Sequence, residues 1–300
     1  MERVQITDNL SFSRMIYGLW RLSNWGYTRE ETLELIEYCL ERGITTFDHA
    51  DIYGGYTCEK LFGDALSLKP SLREKIEIVT KTDIKIVTDG RPNHRVFHYD
   101  TSKEHIIHSV EQSLKALQTD FIDVLLLHRP DPLMDPTQVA EAFNILKKDG
   151  KVLNFGVSNF KYSQFNLLQS YLDFPLVTNQ IELSAYNLEN FEDGTLDLCQ
   201  EKRIPPMAWS PLAGGEIFTS KSEKAIRLRQ KISQIQLEID TNNPDKVLYS
   251  WLLAHPAKIM PIIGSGKYDR IDSAIQSLNL NLSRQQWFDI YQSSLGYRLP

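Results

Sequence analysis

The sequence predicts an α/β fold, a (β/α)₈ barrel of the TIM type with an N-terminal β-hairpin and an extra C-terminal helix. Three observations predict it. Short apolar runs alternate with longer amphipathic ones through the chain, as strand–helix units do. Two runs, FIDVLLL (121–127) and KIMPII (258–263), are apolar nearly throughout, as parallel strands buried on both faces are. Polar residues recur at the C-terminal ends of the runs, where barrel enzymes carry their chemistry.

The elements follow in order. RVQITDNLSFSR (3–14) reads as a hairpin outside the repeat. MIYGLW (15–20) leads into TREETLELIEYCLERG (28–43). That helix takes Thr28 as its cap, Glu30 and Glu31 in the first turn, and Gly43 as its stop. Leu33, Ile36, Tyr38 and Leu40 form its expected apolar stripe. GITTF (43–47) precedes a helix near 58–68, KIEIVTK (75–81) one at 102–117, and FIDVLLL one at 136–150. VLNFGVS (152–158) precedes a helix at 162–172, and LVTNQIE (176–182) one at 188–202. IPPMAWS (204–210) precedes a long helical region, and KIMPIIG (258–264) a helix at 268–278. Residues 283–293 form the extra helix. Segment 83–101 reads as a long loop, a length associated with function or mobility. No Pro/Ser/Gly-rich linker interrupts the chain, so one domain over 1–300 is expected.

Composition narrows the partners. The 33 basic and 39 acidic residues leave a net charge of −6, which disfavours nucleic acid or an anionic membrane surface as the main partner. Three cysteines, far apart, imply no disulfide framework. The first residues lack the apolar centre of a signal peptide, and no apolar run reaches the roughly 20 residues that span a bilayer. A cytoplasmic location is the expectation that follows.

The stretch TTFDHADIYGG (45–55) sets out the chemistry. A strand delivers Asp48 to the rim, and Gly54 and Gly55 permit a turn that returns Tyr53 over it. Lys81 and His128 end neighbouring runs. An ammonium beside a phenol favours phenolate and lowers its pKa, so the phenol can protonate a developing alkoxide. The desolvated lysine then needs a carboxylate, for which Asp48 is the candidate, and a histidine can orient a substrate carbonyl. Taken singly, each residue also fits a structural role: a buried ion pair, a hydrogen-bonded core histidine, a turn aromatic. His49 reads as packing behind the strand. No G-x-S-x-G elbow is present, and neither a phosphate-binding P-loop nor a G-x-G-x-x-G follows a strand.

Several segments, in order and over nearly the whole chain, resemble the aldo-keto reductase superfamily, and within it the bacterial YdhF-type oxidoreductases. FDHADIYGG is similar to the family's FDTA-x-x-YG, IVTKT to its catalytic-lysine strand, and DFIDVLLLHRP to its D-x-x-D-L-x-x-x-H-x-P. VLNFGVSNF, TNQIELSAYN and MAWSPLAGG resemble its I-G-V-S-N-F, N-Q-x-E and A-x-S-P-L-x-x-G segments. The resemblance implies NADP(H)-dependent reduction of a small-molecule carbonyl by a monomer. It makes Tyr53 the proton donor, tuned by Lys81 and Asp48, with His128 orienting the carbonyl. Ser158, Asn159 and Gln180 would hold the nicotinamide carboxamide, Trp209 would stack on its ring, and Ser210 and Leu212 would meet the pyrophosphate. PIIGSGKYDRI resembles the P-x-x-x-S-x-x-x-x-R segment that receives the 2′-phosphate, through Gly264, Ser265, Gly266, Lys267 and Arg270. It departs from the family in having Gly264 where a lysine is common and Ala274 where an acidic residue is common; Lys267 can replace the charge. A planar guanidinium suits phosphate, which favours NADP over NAD. Trp20, Trp25 and Tyr56 are candidate pocket walls. Two alternatives stay open: a non-catalytic NADP-binding sensor or regulatory subunit, and a metal-dependent hydrolase using His94, His98 and His128.

Overall fold

The apolar runs become strands where the expectation put them. A computed structural model describes all 300 residues. Eight parallel strands in sequential order close a barrel: β1 (Ile16–Gly18), β2 (Thr46–Asp48), β3 (Glu77–Thr82), β4 (Ile122–Leu127), β5 (Val152–Ser158), β6 (Leu176–Glu182), β7 (Met207–Trp209) and β8 (Met260–Ile263). Every residue of β4 and β8 is buried, as their unbroken apolar character requires. The chain comprises two compact units, Met1–Asn179 and Gln180–Pro300.

In the first unit, Arg3–Thr7 pairs antiparallel with Leu10–Ser13 as the N-terminal hairpin. Arg3 ties it to the start of β3 through a 2.6 Å ion pair with Glu77. At the start of β4, Asp123 takes Arg73 at 2.7 Å and the Ile78 N–H at 2.8 Å. Helices α1 (Arg29–Glu41), α2 (Cys58–Leu66), α3 (Lys103–Leu117), α4 (Pro136–Lys148) and α5 (Tyr162–Gln169) follow their strands. Thr28 caps α1 in a full capping box with Glu31. The buried stripe of α1 is Thr32, Leu35, Ile36 and Cys39. Of the stripe expected from sequence only Ile36 lies fully in it, while Leu33, Tyr38 and Leu40 are half-buried at its margins. The long segment after β3 is not all loop: Ile84–Lys85 pairs antiparallel with His98–Tyr99.

In the second unit, the helix expected at 188–202 is two pieces, Glu189–Glu192 and α6 (Thr195–Lys202), broken at Gly194. The region after β7 contains α7 (Glu223–Glu238) and α8 (Pro244–Leu253), with Pro244 starting the second. Helix α9 (Tyr268–Gln276) follows β8, and α10 (Arg284–Leu295) is the extra C-terminal helix. Stacked Trp251 and Trp287, 4.9 Å apart, fasten α10 to α8. Each indole N–H donates to the other residue's carbonyl at 3.0 Å. No helix is long and apolar enough to cross a membrane.

Helices α2 and α3 touch at Gly63. A Cβ there would lie 2.1 Å from the Ala116 carbonyl oxygen, a backbone atom that cannot swing away. Gly63→Ala is therefore expected to destabilise the fold by about 1–3 kcal/mol, the usual cost of overpacking. Denaturant titration checks it, as a lower midpoint at unchanged slope.

Candidate active site

Register brings the first two functional groups together. Asp48, the last residue of β2, aligns with Val79 of β3. Alternate strand positions share a face, so Lys81, two residues beyond Val79, points to the same side as Asp48. Lys81 is fully buried, at 0% exposure, so its charge must find partners within the protein. Its Nζ donates to Asp48 Oδ1 at 2.8 Å, to the His49 carbonyl at 2.6 Å and to Tyr53 Oη at 3.0 Å. All three ammonium donors are thereby satisfied.

A turn returns Tyr53 to that amine. The Tyr53 N–H donates to the Ala50 carbonyl at 3.1 Å, and Gly54 and Gly55 both take positive φ, 60° and 65°. At Gly54 a Cβ would also lie 2.6 Å from both Cys58 Sγ and Ser23 Oγ, so both backbone sign and space require glycine. His128 leaves the end of β4 with its N–H donated to the Thr82 carbonyl at 3.0 Å. Its ring meets Tyr53 edge to face, centroids 5.9 Å apart. Asp48, Tyr53, Lys81 and His128 thus form one constellation.

Around it, Ser158 ends β5, and Asn159 follows at φ 62°. Asn159 Nδ2 donates to Ser158 Oγ at 2.8 Å and to the His128 carbonyl at 3.3 Å. In the second unit, Gln180 lies inside β6, two residues before the strand end expected for it, buried with Nε2 3.8 Å from Met207 Sδ. Trp209 ends β7, and Ser210 follows with φ 50°. Leu212 is half-buried in the segment after it. Gly264, Ser265, Gly266 and Lys267 run from β8 to α9, whose first turn carries exposed Arg270.

These segments carry a family signature. Residues 14–294 match the aldo/keto reductase family. The chain belongs to that family. It is 61% identical over 300 residues to the uncharacterized oxidoreductase YcsN of Bacillus subtilis (strain 168), covering all of both chains. It is 48% identical over 289 residues to oxidoreductase YdhF of Escherichia coli (strain K12), covering 96% of each. It is 44% identical over 297 residues to a 6-dehydroglucose reductase of Agrobacterium fabrum, covering 99% of each. The barrel matches the crystal structure of a thermostable aldo-keto reductase, Tm1743, in complex with the inhibitor epalrestat. That match has a TM-score of 0.82 at 24% identity, over 98% of this chain and 100% of the other.

The electrostatics of this aldo/keto reductase site depart in one respect from expectation. Burial pulls the Lys81 ammonium down, but Asp48 and Tyr53 together outweigh it and its pKa is raised. Burial pushes the Tyr53 phenol up, and Lys81 draws it only part-way back, so the net shift is upward. The ammonium acts in the direction expected from sequence, yet enclosure is the larger effect. Burial, then Lys81 and Arg129, hold His128 well below the usual imidazole range, so it is neutral near pH 7. Its Nδ1 is buried with no hydrogen-bond partner. His49 packs edge-on against Phe62, centroids 4.5 Å apart.

The aromatic wall candidates differ in setting. Trp20 is 60% exposed, with its carbonyl 3.8 Å from Cys58 Sγ. Trp25 leans on Tyr17 and Tyr27, at 6.3 and 5.8 Å. Tyr56 joins the long segment after β3: its Oη accepts from the Ile86 N–H at 3.4 Å, and Arg91 lies 4.7 Å over its ring. In that segment His94 and His98 meet edge to face with centroids 6.0 Å apart. For a phosphate-bearing cofactor, the segment after β8 has suitable chemistry. It combines Ser265, two exposed cations and the start of a helix.

Sequence reading missed a group of buried acids beside Lys81. Asp51 bonds Ser109 at 2.9 Å, and Glu59 takes Thr80 Oγ1 at 2.5 Å. Burial raises both carboxyls to about 7, and the Glu59 charge pushes Asp51 further up. A signal for Glu59 was present: it stands three residues before Phe62, on the buried stripe of α2. Their linkage has a definite sign. Ordinary carboxyls titrate at about 4, so between there and about 7 the folded chain holds protons that the unfolded chain has released. Stability therefore falls as pH rises through that window, and the loss is complete above it. Glu59→Gln removes part of the effect. Its melting temperature should fall less between about pH 5 and pH 8 than that of the wild type, as thermal denaturation at the two pH values would register.

Proposed function

We propose that the protein is an NADPH-dependent reductase of aldehyde or ketone carbonyls, with Tyr53 as the proton donor. One observation carries the reading: the buried Lys81 ammonium bonds both Asp48 and Tyr53, at 2.8 and 3.0 Å. Nicotinamide supplies the hydride when bound. Tyr53, protonated at neutral pH, gives its Oη proton to the carbonyl oxygen as negative charge develops there. Lys81 stabilises the phenolate that remains, and Asp48 keeps Lys81 charged. Neutral His128 donates a hydrogen bond to the carbonyl oxygen and orients it. By family resemblance, Ser158, Asn159 and Gln180 hold the carboxamide, and Trp209, Ser210 and Leu212 the nicotinamide ring and pyrophosphate. Ser265, Lys267 and Arg270, with Gly264 and Gly266 leaving room, take the adenosine 2′-phosphate. Trp20, Trp25 and Tyr56 border the substrate, and the enzyme acts as a cytoplasmic monomer.

NADPH oxidation against a panel of aldehydes, ketones and quinones tests the reading. The panel should include a sugar aldehyde, because the relative at 44% identity is named a 6-dehydroglucose reductase. Absence of turnover with intact NADPH binding would favour a sensor instead. Tyr53→Phe is expected to lower kcat/KM by about 10²–10⁴-fold, the usual contribution of a general acid, while NADPH affinity stays at the wild-type value. Near wild-type turnover would place the acid elsewhere.

Arg270→Ala tests the cofactor assignment separately. Losing one charge-assisted contact costs about 1.5–3 kcal/mol, so the Kd for NADPH should rise about tenfold or more. The Kd for NADH should barely move. Equal losses in fluorescence titrations of the two cofactors would remove Arg270 from 2′-phosphate recognition.

A further inference from the structure

We propose that Asp83 is a positioning residue for His128, its carboxyl fixing the main chain where β4 hands the histidine to the site. The inference rests on the reductase reading for its kinetic consequences, but its geometry stands alone. Thr82, the last residue of β3, aligns with Leu127, the last of β4, so Asp83 and His128 each follow directly on a paired strand end. Asp83 Oδ2 accepts the Arg129 N–H at 3.1 Å, while the Thr82 carbonyl takes the His128 N–H at 3.0 Å. Thr82 and Asp83 therefore hold the two main-chain N–H groups that flank the histidine's side chain.

His128 needs such a hold. Its Nδ1 is buried without a partner, so no side chain fixes the ring by bonding that nitrogen. Ring placement must come from the backbone and from packing against Tyr53. Asn159 steadies the His128 carbonyl from the β5 side, and Asp83 acts from the β3 side.

Asp83 is an expensive choice for a merely structural position. It is fully buried and non-glycine at φ 98°, a region that L side chains rarely occupy. Its Oδ1 has no partner, and the neighbouring acids Asp51 and Asp131 work against its ionisation. Backbone strain of this kind persists where surrounding structure holds it, and it concentrates at functional sites. Glycine would suit the backbone better but could not accept the Arg129 N–H.

A mutant cycle tests the proposal. Asp83→Gly, which suits the positive φ, is expected to fold and bind NADPH as the wild type does, yet lose about ten- to hundredfold in kcat. Asp83→Asn keeps an acceptor oxygen and should recover most of that loss. In a His128→Ala background, assayed with an activated quinone, Asp83→Gly should cost nothing further, because its effect runs through the histidine. An equal loss in both backgrounds, or an Asn variant as poor as the Gly variant, overturns the proposal. Should Asp83→Gly fail to fold, Asp83→Ala, which likewise lacks an acceptor, replaces it in the same cycle. Histidine-ring NMR supplies a readout that needs no turnover. The His128 resonances, assigned by their loss in His128→Ala, should shift in Asp83→Gly and return in Asp83→Asn. Unmoved resonances overturn the positioning role. A wild type with no carbonyl reduction overturns the reductase reading alone.

Discussion

A buried ammonium governs this structure. Lys81 has no access to water, and an unpaired charge there would cost several kcal/mol. Three acceptors meet it: a carboxylate from β2, a main-chain carbonyl one residue later, and a phenol carried back by the turn. Each acceptor constrains the chain. Asp48 fixes the register of β2 on β3, the His49 carbonyl fixes where the strand ends, and Tyr53 fixes the path of the following turn. The same contacts that satisfy the lysine also aim the phenol, so folding and chemistry make one demand on these residues.

The surrounding acids make sense in that light. Asp51, Glu59 and Asp83 all have raised pKa values, with burial the leading cause. Had all three stayed ionised, Lys81 would sit among competing carboxylates, and the interior would hold a large net negative charge. As neutral or partly neutral acids they serve as hydrogen-bonding groups: Glu59 to Thr80, Asp51 to Ser109, Asp83 to the Arg129 main chain. Asp48 remains the direct ionic partner of Lys81.

Much of this was legible in the sequence because strand ends are marked by composition. The boundaries of β5 and β6 coincide with VLNFGVS and LVTNQIE, where apolar alternation stops abruptly at a polar pair or a loop. Asp48, Lys81, Tyr53 and His128 could be named since each interrupts or follows an apolar run. The α1 stripe was misread because Thr32 and Cys39 take core positions that a search for large aliphatic residues passes over. The split at Gly194 and the short ribbon at Ile84–Lys85 depend on backbone dihedrals and on pairing across many residues, which local pattern does not carry. Asp83 was invisible for the same reason. Its role lies in a positive φ and in a main-chain N–H, that of Arg129, just beyond the end of another strand.

That last case shows where sequence reasoning gives out in a barrel of this kind. A strand that runs on regularly would carry its final side chains alternately in and out. To present several neighbouring polar groups, the chain must break the alternation, and it does so by turning single residues left-handed. Asp83, Asn159 and Ser210 each follow directly on a barrel strand, and each has positive φ without being glycine. Such a conformation costs about 1–3 kcal/mol where the residue is ill-suited to it, and less for Asn and Asp, whose short polar side chains bond locally. Stability alone would place glycine at all three. Two of the retained side chains bond neighbouring strand ends, Asp83 to Arg129 and Asn159 to His128. Strain at the strand ends is therefore coupled to the placement of the histidine, and relieving it would loosen the group that the reductase reading needs held in place.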